Sequence, residues 1–155
     1  MIEKKAPEAY AEHLNLPSVF LAGSIEMGVA EDWQEEVARA LAGMDVLILN
    51  PRRPHWDSSW TQSIDNPAFR QQVDWELDAM NAAGVIAMYF SPATRSPVTM
   101  LELGLYAEKN PEKLVVCCQE GFWRKGNVDI VCARHGIARA ETLGDMVSML
   151  KARLR

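Results

Sequence analysis

The chain has 155 residues, 48% of them hydrophobic and 24% charged, which suits one soluble domain with an ordinary packed core. Its formal net charge of -5 and pI near 5.2 argue against a protein built to bind nucleic-acid polymers, but leave a single nucleotide open as ligand. No apolar run approaches the roughly 20 residues of a membrane span, and the opening "MIEKKAPEAYAEHLN" lacks the apolar centre of a signal peptide. No membrane association and a cytoplasmic location are therefore expected.

Residues 1–15 read as a loose arm or a short helix. "SVFLAGS" (18–24) is a short apolar run ending in Gly-Ser and predicts the first strand. "EDWQEEVARALAG" places Trp33, Val37, Ala40 and Leu41 on one face, with acids in the first turn and Gly43 at the exit, which predicts an amphipathic helix. "DVLILN" (45–50) is a second buried strand. "NPAFRQQVDWELDAMNAAG" opens a helix, with Asn66 as its cap and Pro67 at the first helical position. "GVIAMYF" (84–90) is a third strand, and the helix after it begins at "SPVTMLELG", with Ser96 as cap and Pro97 next. "KLVVCC" is a fourth strand. A short helix near 127–134, a brief strand near "GIAR" and a last helix from about Glu141 complete the chain.

This alternation predicts an α/β fold: a small doubly wound parallel sheet of five strands, flavodoxin-like or Rossmann-like in order, with helices on both faces. One domain spans 1–155. Ligands of such sheets bind beyond the carboxyl ends of the strands, at the switch point. Those ends are "AGS", "NPRR", "YFSPATRS" and "CCQEG", which makes Gly23, Ser24, Asn50, Arg52 and Ser96 candidate binding residues. "GSIEMG" after the first strand lacks the GxGxxG pattern and is by itself as much a tight turn as a phosphate or sugar signal. The connection 50–65 holds two Trp, two Arg, a His and two Asp, and is long against the usual connection of about 4–6 residues. Two tryptophans favour a structured lid over the crevice.

Three cysteines, Cys117, Cys118 and Cys132, argue against a disulfide framework. Cys132 and His135 form a C-x-x-H, but there is no second ligand pair, and Cys117 and Cys118 end a buried strand. No metal and no cofactor are expected.

Two carboxylates stand out. Glu102 has Val98, Leu105 and Tyr106 as its helical neighbours, an apolar stripe that would desolvate it and raise its pKa. Phe69, Val73, Leu77 and Met80 form the apolar stripe of the preceding helix, and Glu76 lies on that side, whereas Asp74 and Asp78 face polar neighbours. Two consecutive helices thus turn one Glu each toward the interior. Paired carboxylates in unlike environments suit glycosyl chemistry, one as nucleophile or base and one as acid. The structural alternative is a salt bridge from each Glu to an Arg of the long loop.

"FLAGSIEMG", "NPRR…W", "QQVDWELDAMNAAGVIAMYF", "SPVTMLELGLYA" and "GNVDIVC" together resemble the nucleoside 2-deoxyribosyltransferase family and its nucleotide N-glycosidase relatives, over roughly 18–135. The resemblance implies that Glu102 attacks the anomeric carbon of a 2′-deoxynucleoside. The base is expelled, and a covalent deoxyribosyl-enzyme is resolved by a second base or by water. It implies that Glu76 protonates the leaving base, being Glu where better-known members have Asp. It places Asn127 where relatives reach across to the sugar from a neighbouring subunit, which implies a homo-oligomer with shared sites. Trp56 is expected to stack on the base.

Two departures bear on the substrate. Phe20 stands where many transferases have a Tyr, and Ser96 where they have an Asp six residues before the nucleophile. Ser96 and Gly23-Ser24 look more like relatives that hydrolyse deoxynucleoside 5′-monophosphates, with Arg52, Arg53 or Arg95 as a source of positive charge. Asn127 looks like the transferases. The expected partners are a nucleoside or nucleotide and a nucleobase. Transfer of deoxyribose between bases is the first expectation, hydrolysis by the same Glu the second, and a non-catalytic nucleotide-binding module the third.

Overall fold

Six strands form one parallel sheet in the computed structural model, which describes residues 1–26, 30–54, 57 and 59–155. In chain order they are β1 (Ile2–Lys5), β2 (Ser18–Gly23), β3 (Leu47–Asn50), β4 (Val85–Phe90), β5 (Leu114–Cys118) and β6 (Ala138–Ala140). Five α-helices accompany them among the described residues: α1 (Trp33–Leu41), α2 (Pro67–Ala82), α3 (Pro97–Lys109), α4 (Lys125–His135) and α5 (Leu143–Arg153). The sheet order is β1-β3-β2-β4-β5-β6. Without β1, this is the flavodoxin-like order expected from the strand–helix alternation.

The extra strand corrects the sequence reading of the N-terminal arm. Ile2–Lys5 pairs in parallel with β3 at the edge of the sheet, and every residue of it is only half-buried. The segment IEKK has one apolar residue and two lysines, so it carries none of the hydrophobic signal of an inner strand. Lysines suit an edge, where they discourage pairing with another chain.

Inner strands alternate by the two-residue period of extended backbone. Phe20, Ala22, Leu49, Ile86, Met88 and Val116 point to one face, where α2, α3 and α4 bury Trp75, Met80, Leu103, Tyr106 and Val128. Val19, Leu21, Ile48, Ala87, Tyr89 and Val115 point to the other, covered by Trp33, Val37 and Leu41 of α1 and Met146 and Leu150 of α5. The predicted double winding is therefore present.

Helix starts follow local chemistry. Asp32 accepts from the Glu35 N–H, Asn66 from those of Ala68 and Phe69, and Thr142 and Asp145 form a reciprocal capping box. Two starts have no side-chain cap: Arg124 precedes α4, and Ser96 precedes α3. Ser96 holds the cap position of α3 in a left-handed conformation (φ 46°) and its hydroxyl caps nothing.

The chain leaves β2 to build β3 on one side and β4 on the other, so the switch point lies between β2 and β4. The two strands approach closely at the end. A Cβ at Gly23 would lie 2.5 Å from the Tyr89 carbonyl oxygen and 2.8 Å from the Trp33 indole, so only glycine fits.

Candidate active site

A cleft of about 320 Å³ opens at this switch point, within the range of small-molecule sites. Its floor is the end of β2, with Phe20, Ala22 and Gly23. One wall is α2, with Phe69, Val73 and Glu76. The opposite wall is the start of α3, with Ser96, Val98 and Glu102. Asp57 and Trp60 of the long connection close the top. That connection forms a wall, as a lid would, and Trp60 is held there under the Arg53 guanidinium, 4.8 Å from the ring centre.

The α2 stripe is corrected in detail. The residues it packs on the sheet are Trp75, Ala79 and Met80, with Gln72 buried beside them, while Leu77 faces outward. Phe69 and Val73 line the cleft together with Glu76. Two residues of the stripe, Phe69 and Val73, are thus cleft wall, while Met80 packs in the core.

Glu102 is 8% exposed, and no described residue hydrogen-bonds its carboxylate. Burial, and then the nearby charge of Glu76, push its pKa up to about 8. Burial likewise pushes Glu76 up to about 7, against the opposing pull of a hydrogen bond from Gln72 and the charge of Arg53. Gln72 fixes Glu76: its amide nitrogen donates 2.7 Å to Glu76 Oε1 and 3.0 Å to the Pro51 carbonyl, while its oxygen accepts from Arg53 Nε. Arg53 Nη2 is buried with no hydrogen-bond partner among the described residues. Burial thus holds both carboxyls above the ordinary glutamate range, so each keeps its proton to higher pH than a solvated glutamate does.

The structure gathers Gly23, Ser96, Glu76 and Glu102 in one cleft. Ser24 lies behind it. Its hydroxyl is 2.7 Å from those of Thr94 and Ser96 and accepts from the Ser91 N–H, so the three hydroxyls satisfy one another and pin the β4–α3 loop. Asn50 is buried, donating to Glu3 and accepting from the Arg52 N–H. Arg52 reaches the Ala30 and Glu31 carbonyls and Gln34, and pairs with Asp32 at 3.5 Å, tying the end of β3 to the start of α1. Asn127 is exposed on α4 and is not on the cleft wall of its own chain. Trp56 lies outside the described residues.

Sequence reasoning missed Gln72, Trp60 and Glu26. Gln72 was findable, since it stands four residues before Glu76 on the same helical face. Trp60 is the second tryptophan of a loop already marked as functional. Glu26 sits in "GSIEMG", a stretch weighed only for its glycines.

Residues 16–122 match the family described as "Nucleoside 2-deoxyribosyltransferase like". The chain belongs to this family. A comparison with curated protein sequences finds no match. Among solved structures, a conserved protein from Enterococcus faecalis V583 is similar, with a TM-score of 0.59 and 11% identity over 90% of this chain and 99% of that one. At that identity the likeness shows the fold alone. Within this deoxyribosyltransferase-like domain, the paired glutamates and the cleft at the β2–β4 switch point are the groups with chemistry to offer.

Proposed function

We propose that the protein cleaves the N-glycosidic bond of a 2′-deoxynucleoside and transfers the deoxyribosyl group to a second nucleobase. The observation that carries this reading is the pair of buried carboxylates, Glu76 and Glu102, that line one cleft from two helices, in a chain of this family.

The chemistry follows from the pair. Of its singly protonated forms, the productive one has Glu102 ionised and Glu76 protonated. A sugar with developing positive charge at C1′ stabilises the Glu102 carboxylate, and a departing base nitrogen accepts the Glu76 proton, so substrate selects this form. A Glu102 oxygen bonds to C1′ as the C1′–N bond breaks, and Glu76 delivers its proton to the base. The incoming base reverses these steps: its nitrogen attacks C1′, its proton passes to Glu76, and Glu102 is released. Two displacements retain the configuration. Gln72 positions Glu76 for both transfers. Trp60 offers an aromatic face at the top of the cleft, and its role is to stack on a base.

The active form is a homo-oligomer in this proposal. Val98, Leu101 and Leu105 are 57%, 65% and 50% exposed along the outer side of α3, and Val98 also borders the cleft. A second copy packed there would bury this stripe, and in this proposal its Asn127 reaches the sugar.

The test is base exchange. Protein incubated with deoxyinosine and free adenine should form deoxyadenosine, and Glu102→Gln should not. Release of base without an acceptor would mean that water resolves the intermediate, making the protein a hydrolase. No product from any deoxynucleoside or its 5′-monophosphate would leave the non-catalytic module.

A further inference from the structure

Two non-glycine residues of the described chain, Glu26 and Ser96, adopt a left-handed backbone, both at φ 46°. That conformation is uncommon outside glycine and worth a reason when it recurs at a site. The two are in contact. Glu26 Oε1 accepts from the backbone N–H groups of Arg95 (3.0 Å) and Ser96 (2.9 Å), immediately before α3. A pair of successive amides at that place would suit a substrate anion, and a carboxylate of the protein already holds them. Glu26 Oε2 has no partner among the described residues, and Glu26 borders the cleft.

The described side chains that line the cleft are acidic where they are titratable. The described residues that line the cleft include four carboxylates, Glu26, Asp57, Glu76 and Glu102, and no lysine or arginine. The nearby arginines are already engaged. Arg52 braces α1. Arg95 stacks on Trp123, 4.2 Å from its ring. Arg53 serves Gln72 and Glu76. The Ser24, Thr94 and Ser96 hydroxyls are engaged with each other.

We infer that Glu26 is a specificity-determining residue that closes the α3 end of the cleft to a 5′-phosphate and accepts a hydrogen bond from a free 5′-hydroxyl, so that the substrate is a nucleoside and not a nucleotide. This rests on the N-glycosidic reading above and sharpens it. A phosphate brought there meets a carboxylate where it needs donors, whereas a hydroxyl meets an acceptor.

The test uses binding, so that it does not depend on turnover. Calorimetry on the full-length Glu102→Gln protein compares deoxyadenosine with its 5′-monophosphate, before and after adding Glu26→Gln. Glutamine keeps an oxygen for the two N–H groups and removes the charge. The expected result is a preference for the nucleoside of about tenfold or more, which narrows by about tenfold in Glu26→Gln. A monophosphate that binds more tightly, a preference that Glu26→Gln leaves unchanged, or no binding of either ligand would overturn the inference. A circular dichroism spectrum checks that each variant is folded, and Glu26→Ser replaces Glu26→Gln if the latter is not. Parallel turnover of deoxyadenosine by the unaltered protein tests the underlying reading separately. Selective binding without cleavage would sink the N-glycosidic chemistry and leave the role of Glu26 standing.

Discussion

The two faces of the sheet obey the same alternation and do different work. Under α1 and α5, Trp33, Val37, Leu41, Met146 and Leu150 meet the strands with almost nothing left exposed. Under α2 and α3 the packing is equally tight near the middle, but it opens at the strand ends into a cleft walled by Glu76 and Glu102. The closed face rests mainly on apolar contact, with Trp33 Nε1 donating 3.1 Å to the Ser24 carbonyl. The open face keeps two acids dry, which opposes their ionisation and makes the site sensitive to pH. The lesson is that the apolar residues beside a carboxylate need not be core. Phe69, Val73 and Val98 surround the acids from the cleft side.

Substitutions should separate the two faces. The largest effect is expected from Glu102→Gln: loss of at least about a thousandfold in exchange rate, or some 4 kcal/mol of transition-state stabilisation, with the fold intact by circular dichroism. Trp33→Ala, on the closed face, should do the reverse. It should lower unfolding stability by about 3–5 kcal/mol in urea titration, and whatever folded protein remains should still exchange bases. Equal damage to rate and stability by both variants would erase the distinction.

The acids themselves should shape stability against pH. The pKa of each glutamate is raised on folding, so the folded state binds more protons than the unfolded state between the ordinary value near 4.5 and about 7 to 8. Stability is therefore full below about 4.5 and falls as pH rises toward 8, by about 2–4 kcal/mol. Thermal melts across this range should show the slope, and the Glu76→Gln, Glu102→Gln double variant should flatten it. The groups around the pair are Arg53, Gln72 and Tyr106, and burial and the Glu102 charge also push the tyrosine upward. Exchange rate should follow a bell with its maximum between about 7 and 8, because the pair must hold one proton. A rate that climbs steadily to pH 10 would contradict a protonated Glu76.

The smallest effect concerns the loop that joins the faces. Ser24→Ala leaves Thr94 and Ser96 short of a buried partner, and should reduce stability by about 1–3 kcal/mol. Since Ser24 does not border the cleft, the Michaelis constant should hardly change in initial-rate assays.

These particulars show what the sequence made legible. Short apolar runs alternating with amphipathic stretches were enough for the doubly wound sheet, because buried parallel strands must read that way. β1 was not legible, since an edge strand with two lysines has no hydrophobic signature. Glu76 and Glu102 emerged from helical spacing alone. The roles of Ser24, Asn50 and Arg52 did not. Their positions at strand ends are shared by site residues and by the residues that brace a loop, and only hydrogen-bond partners tell the two apart. Glu26 lies 70 residues from Ser96, the amide it binds, and nothing local announces so distant a contact.

A covalent bond between Glu102 and the sugar is the central step of the proposed reaction. The most direct measurement is mass spectrometry of protein quenched in acid during turnover of deoxyinosine, followed by proteolysis. The prediction is a mass increase of one deoxyribosyl group, on the peptide that contains Glu102, absent from Glu102→Gln and discharged by added adenine. Turnover with no adduct at any quench time, or an adduct on another residue, would contradict it.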